Sequence, residues 1–150
     1  MPLDHLLRQV LRRLDACQRQ VLAPLGLTPR QVEVLAALKG SGGMRQRELA
    51  RRMGMDASTL AELAARLDER GLIRRAPHRK DRRALALYLT PKGRRRLQKA
   101  LPAMQRADAM FLKGLRSGQR QAFTNMLAVL AGWRCDCRQD DEAGSGEKGR

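Results

Sequence analysis

Few residues of this chain have the types and spacing of a catalytic centre. The two histidines, His5 and His78, fall on different predicted elements, and there is neither a glycine-rich phosphate loop nor a Cys-x-x-Cys pair. Cys135 and Cys137 could bind a metal or crosslink two chains. No third or fourth ligand stands near them, so spare thiols are the simpler reading. No enzyme, metal or cofactor is therefore expected. Cationic chemistry is abundant instead: Arg79-Lys80-Asp81-Arg82-Arg83 and Arg94-Arg95-Arg96 sit in a chain with 31 Lys and Arg against 15 Asp and Glu, a formal charge of +16. Such a field implies an anionic partner, either nucleic acid or anionic lipid. An aromatic content of only 3% argues against modules that stack single-strand or RNA bases on aromatic rings, which leaves duplex DNA as the better partner. No run approaches the roughly eighteen apolar residues of a membrane span, and the opening MPLDHLLRQV lacks the apolar core of a secretion signal. A cytoplasmic location with reduced thiols and no membrane partner is expected.

Those cations must be carried by particular elements. Leu7, Val10, Leu14, Cys17 and Val21 alternate at steps of three and four, the seam of a first helix packed on another helix. Pro24 and Gly26 end it. Thr28-Pro29-Arg30-Gln31 then combines an N-cap, a proline at the first helical position and a capping-box glutamine, opening a second helix that runs to about Leu38. After Gly40-Ser41-Gly42-Gly43, residues 46–53 form a short helix with Leu49 and Ala50 inward, closed by Gly54. Asp56 caps a fourth helix whose Leu60, Leu63, Ala64 and Leu67 share a face and which stops at Gly71.

The period then changes from helical to alternating. Leu72-Ile73-Arg74-Arg75 and Leu85-Ala86-Leu87-Tyr88-Leu89 read as two strands around a polar loop over residues 76–84, a β-hairpin with a basic tip. Thr90-Pro91 opens another helix with apolar positions at Leu97, Leu101, Met104, Met110 or Phe111, and Leu115, bent at Pro102. A last helix after Gly118 carries Phe123, Met126 or Leu127, Leu130 and Trp133, and residues 139–150 form a polar, disordered tail. Helix, turn, helix and basic hairpin in that order make a DNA-reading module whose second helix fits the major groove. The first helix and the last two have apolar stripes that this module cannot cover, which points to a two-fold dimer and a pseudo-palindromic operator.

The blocks LGLTPRQVEVL, QRELARRMGMDASTLAELAARLDERGLI and HRKDRRALALYLTPKGRRRL resemble, in order and spacing over roughly residues 20–97, those of the MarR family of bacterial regulators. The resemblance implies a mainly α fold with a small β-hairpin wing, a winged helix-turn-helix over 28–90 within a single chain of 1–138. Residues 1–25 and 91–138 would supply intertwined dimerisation helices. It also implies a sequence-specific, double-stranded DNA-binding transcriptional regulator, typically a repressor released by a small aromatic or carboxylate effector. A non-switching, basic architectural DNA binder is the alternative.

On the recognition helix, Ser58, Thr59, Ala61 and Glu62 are the base-edge candidates, with Arg66 at the margin of the same face. Glu62 departs from the basic residue common in the family, and a pair with Arg66 four residues on is its bland alternative. Arg45, beside Gln46, stands where a Ser or Thr cap usually opens the third helix, and is placed to meet a phosphate instead. Asp81-Arg82-Arg83 matches the family's Asp-x-Arg motif, which implies Arg83 in the minor groove braced by Asp81, with Arg79, Lys80 and Arg82 on the backbone. Arg94, Arg95 and Arg96 are weaker candidates that fit the solvent face of a helix. Cys17, on the apolar stripe, reads as a small core residue rather than an oxidant sensor. No residue cluster identifies an effector pocket.

Overall fold

The computed structural model describes residues 1–132. Trp133, the Cys135 and Cys137 pair and the predicted tail 139–150 lie outside the described residues. Two compact units divide the chain, Met1–Leu112 and a second from Lys113 onward.

In the first unit, α1 (Leu3–Leu22) ends in a single tight turn, Ala23–Leu25, where Gly26 adopts the left-handed conformation at φ 61°. Helix α2 (Pro29–Leu38) opens on the predicted capping box: the Gln31 amide donates to Thr28 Oγ1 at 3.2 Å and the Thr28 amide to Gln31 Oε1 at 3.0 Å. Met44–Arg45 forms β1, α3 covers Gln46–Met53 and α4 covers Ala57–Glu69. Strands β2 (Ile73–His78) and β3 (Asp81–Leu89) follow, then α5 (Pro91–Phe111). The core gathers Leu35 of α2, Leu49 of α3, Leu60 and Leu67 of α4, Leu72, Ile73 and Leu87 at the sheet, and Leu97 of α5, all essentially inaccessible. These are the positions that helical and strand periodicity bring to one side.

The antiparallel sheet has the order β1-β3-β2. Strand β1, two residues long and paired through Met44 with Leu87 and Arg45 with Ala86, is too short to leave a periodic signal in the sequence. The hairpin also exceeds expectation. Residues 76–84, predicted to be a polar loop, are largely strand, with Ala76 opposite Ala86 and Pro77 opposite Leu85, so that only Arg79 and Lys80 make the turn. Pro77 and the charge run weigh against strand by propensity, but an edge strand tolerates both.

Helix α5 runs through Pro102 as one element. Leu97 is buried and Met104 packs against the core as expected, but the rest of the buried side is small, Gly93, Ala100, Ala103 and Ala107, whereas Leu101 and Met110 are about 40% exposed (38% and 41%). Small side chains let two helix backbones approach closely, and α1 packs along α5. Of the large apolar residues of this helix, Leu97 and Met104 thus join the core, while Leu101 and Met110 lie on its exposed side. On α1, Leu22 is buried, Cys17 is a half-buried free thiol, and Leu3, Leu6, Leu7 and Leu11 remain exposed. In the second unit α6 (Ser117–Gly132) buries none of its residues, and Met126, Leu127, Val129 and Leu130 are exposed.

The base of the hairpin is fixed to α5 by a close approach at Gly93. A Cβ there would lie 1.9 Å from the Leu72 carbonyl oxygen and 2.9 Å from Leu89 Cδ1. That carbonyl accepts hydrogen bonds from the Thr90 amide (3.2 Å) and hydroxyl (3.0 Å), while the Gly93 amide donates back to Thr90 Oγ1 at 3.0 Å. One threonine thus caps α5 and ties it to the sheet.

Candidate nucleic-acid interface

Asp56 organises the start of α4. Its Oδ1 accepts from the Thr59 amide at 2.8 Å and from the Ser58 hydroxyl at 2.5 Å, and its Oδ2 accepts from the Thr59 hydroxyl at 2.6 Å. The Ser58 and then the Thr59 hydrogen bonds hold this carboxyl below the usual carboxylate range. Both hydroxyl protons are committed to Asp56, so each oxygen presents lone pairs outward. Leu60, Ala64 and Leu67 are buried, which leaves Ser58, Thr59, Glu62 and Arg66 exposed on the outer side with Ala61 half-buried at its edge. The five α4 residues singled out in the sequence are therefore on one accessible surface. No Glu62–Arg66 ion pair forms among the described residues; the two line a cleft with Thr59 and Arg30.

Arg75, which sequence reasoning passed over as one cation among many, supports this helix from beneath. Its Nη2 donates to the Ala61 carbonyl at 2.9 Å and its Nε stands 3.8 Å from Asp68 Oδ2. Strand alternation sends Arg74 to the opposite face of the hairpin. The period-2 pattern already separates the two arginines, but it does not show which one faces the helix.

The wing tip is built by a register shift. His78 pairs with Asp81 and its neighbour Pro77 with Leu85, so Arg82, Arg83 and Ala84 of β3 have no counterpart on β2. A bulge of this kind re-aims side chains, and here it throws Arg82 and Arg83 outward into solvent. Lys80 sits in the turn, its amide donating to His78 Nδ1 at 3.3 Å. Asp81 Oδ1 accepts from the Arg83 amide at 3.1 Å, an Asx-type bond within the bulge. Its Oδ2 lies 3.3 Å from Arg45 Nη2. Asp81 thus holds the backbone of Arg83 rather than its guanidinium, and the guanidinium it meets belongs to Arg45.

Arg45 occupies the N-cap of α3 without a side-chain cap bond. Through Asp81 it joins the start of the helix-turn-helix to the wing, and with Gln46, Arg47, Ala84 and Leu85 these residues line a cavity of about 380 Å³. Arg79 stands apart. It lines the outer face of the hairpin beside Lys39, Arg74, Tyr88 and Arg94.

Residues 25–84 match the profile of the MarR family. The HTH-type transcriptional repressor MdtR of Bacillus subtilis is 33% identical over 122 residues, 81% of this chain and 79% of that protein. The chain belongs to the MarR family. Among solved structures it is similar to that of a probable transcriptional regulator from Pseudomonas aeruginosa, with 33% identity and a TM-score of 0.80 over 86% of this chain and 96% of that one. It is also similar to BpsR of Bordetella bronchiseptica, with 26% identity and a TM-score of 0.79 over 88% and 94% of the two chains. The structure of BpsR is described in terms of the regulation of its DNA binding by 6-hydroxynicotinic acid.

One cavity of this MarR-family chain lies between α1 and α2. Leu11, Leu14, Gln18, Thr28 and Pro29 line about 540 Å³ together with two internally neutralised ion pairs, Arg19–Asp15 at 2.8 Å and Arg30–Glu33 at 2.9 Å. Its size falls in the range of small-molecule sites.

Proposed function

We propose that α4 enters the major groove of operator DNA, with Ser58, Thr59, Ala61 and Glu62 at base edges and Arg66 beside them, while the wing reaches an adjacent minor groove through Arg83. Arg45, Gln46, Arg79, Lys80 and Arg82 contact the backbone. The chain is a DNA-binding transcriptional regulator, not a catalyst, and its family is one of sequence-specific repressors and related regulators. The bulge carries the reading of the wing, because it leaves Arg82 and Arg83 with no strand partner and directs them outward. An arginine so presented suits a narrow minor groove, whose potential is most negative over A·T-rich steps. On α4, hydroxyls that can only accept favour the amino groups of cytosine and adenine.

Residues 28–90 act as the reading module and the flanking helices as a dimerisation region in a cytoplasmic homodimer. The exposed apolar residues of α1 (Leu3, Leu7, Leu11) and of α6 (Met126, Leu127, Val129, Leu130) support this, since faces of that kind are ordinarily covered by a partner. A small aromatic or carboxylate effector in the α1–α2 cavity would lower operator affinity by favouring a different placement of the two modules.

Selection of bound sequences from random DNA tests the reading. It should return a pseudo-palindrome with half-sites separated by about one helical turn or a multiple of it. Sedimentation should give a dimer at micromolar concentration. Equal affinity for all sequences, or a folded monomer that binds a full operator, would refute the reading.

A further inference from the structure

The cavity on the outer face of the hairpin, away from α4, encloses about 410 Å³ and carries four cationic side chains from four segments: Lys39 after α2, Arg74 on β2, Arg79 in the turn and Arg94 on α5. No acidic residue lines it. In so basic a chain a cluster of cations is common, but the three clefts described above are not free of acid. Those between α1 and α2, beside the wing and along α4 contain Asp15 and Glu33, Asp81 and Glu62 respectively. Nor do the four cations of this cavity form an ion pair with any described residue.

The floor is preorganised. The Arg74 guanidinium lies 4.5 Å from the centroid of the Tyr88 ring, and the Tyr88 hydroxyl donates to the Pro77 carbonyl at 3.1 Å. Gly43, at φ 110°, lets the loop before β1 come so close to that ring that a Cβ would lie 2.2 Å from Tyr88 Cε1. Gathering like charges without a counter-ion is unfavourable unless an anion relieves the repulsion, and guanidinium forks match oxyanions bidentately.

We propose that this cavity binds a compact oxyanion of two or more negative charges, a phosphate ester or diphosphate or a small polycarboxylate, and thereby lowers DNA affinity. Arg79 is the link, because a side chain drawn over the outer face of the hairpin to an anion is withdrawn from the DNA backbone. This link rests on the DNA contacts proposed above; the anion site itself does not.

Calorimetric titration of the full chain with inorganic pyrophosphate, and separately with citrate, at constant ionic strength tests the site. Binding should saturate at one anion per chain. Arg94→Gln should weaken it about tenfold, as expected for loss of a charge-assisted contact. Lys39→Gln with Arg94→Gln should weaken it further, and Arg12→Gln, on exposed α1, should change nothing. A preference for pyrophosphate over citrate identifies the phosphate class, and the converse the polycarboxylates. Operator affinity should then fall with pyrophosphate in the parent and much less in Arg94→Gln. Equal titrations for the parent and the double variant would overturn the site. Loss of operator affinity in Arg94→Gln without added anion would overturn it too, making the cavity a DNA-backbone contact. Anion binding without any operator binding would leave the site standing and indict the functional reading.

Discussion

Replacing Asp81 by alanine removes a negative charge from the wing proposed to meet DNA, and simple charge counting predicts tighter binding. The structure predicts the reverse. At a separation of about 10 Å in water, one carboxylate and one phosphate repel by about 0.4 kcal/mol, cut to roughly a third of that at physiological salt. Against this gain stand two losses. The Asx-type bond from the Arg83 amide, 3.1 Å long, is worth about 1 kcal/mol. The Arg45 pair, with both side chains more than 40% exposed (46% and 41%), adds about 0.2–1 kcal/mol. Without them the bulge must be ordered when DNA binds, and the net expectation is a loss of about 1 kcal/mol, or roughly fivefold in affinity. Asp81→Asn keeps an acceptor for the Arg83 amide and loses only the charge, so it should fall between parent and alanine. Fluorescence anisotropy with a labelled operator, at two salt concentrations and with circular dichroism to check the fold, measures both variants. If Asp81→Ala bound as tightly as the parent or more tightly with unchanged melting, the brace would be wrong and the wing would act only as a cationic arm.

Three further outcomes follow from the geometry. Glycine to alanine in a helix normally stabilises, yet Gly93→Ala should cost about 3 kcal/mol and lower the melting temperature by about 10 °C, because the new Cβ collides with the Leu72 carbonyl; unchanged melting would show that α5 can shift freely. The Asp56 carboxyl titrates below its ordinary value of 3.8, so its contribution to stability is present above that pH and is lost as the pH falls below it; urea midpoints of Asp56→Asn should decline less between pH 5 and pH 3, in the region of about 4, than those of the parent. Cys17→Ser places a hydroxyl on a half-buried apolar seam, so it should cost under about 1 kcal/mol in thermal melts while leaving the oxidant and ligand responses of operator binding unchanged.

The helices were legible where local chemistry acts alone. Thr28 with Gln31, Asp56 before α4 and Gly54 after α3 cap their own helices through bonds spanning a few residues, so residue type and spacing suffice. The exposed face of α4 follows from the same period. Contacts set by tertiary approach were hidden. The alanine stripe of α5 is buried because α1 lies along it, and alanine is apolar enough for either face. Strand β1 exists because β3 is there to pair with it. The Asp81–Arg45 pair spans 36 positions of sequence, and the Asp-x-Arg motif pointed to the wrong guanidinium. Arg75 was hidden by abundance, since in a run of cations nothing local distinguishes the one that supports a helix.

The sheet order leaves β2 on an open edge, and an open edge can recruit a strand from another molecule. A regulator concentrated on DNA would bring such edges together repeatedly. Here Pro77 offers no amide hydrogen to a newcomer, the bulge next to it breaks the straight run a partner would need, and Arg74 and Arg75 place two positive charges along the same strand. The opposite edge, β1, is only two residues long. The features that turn Arg82 and Arg83 outward thus also make the hairpin a poor template for intermolecular β pairing.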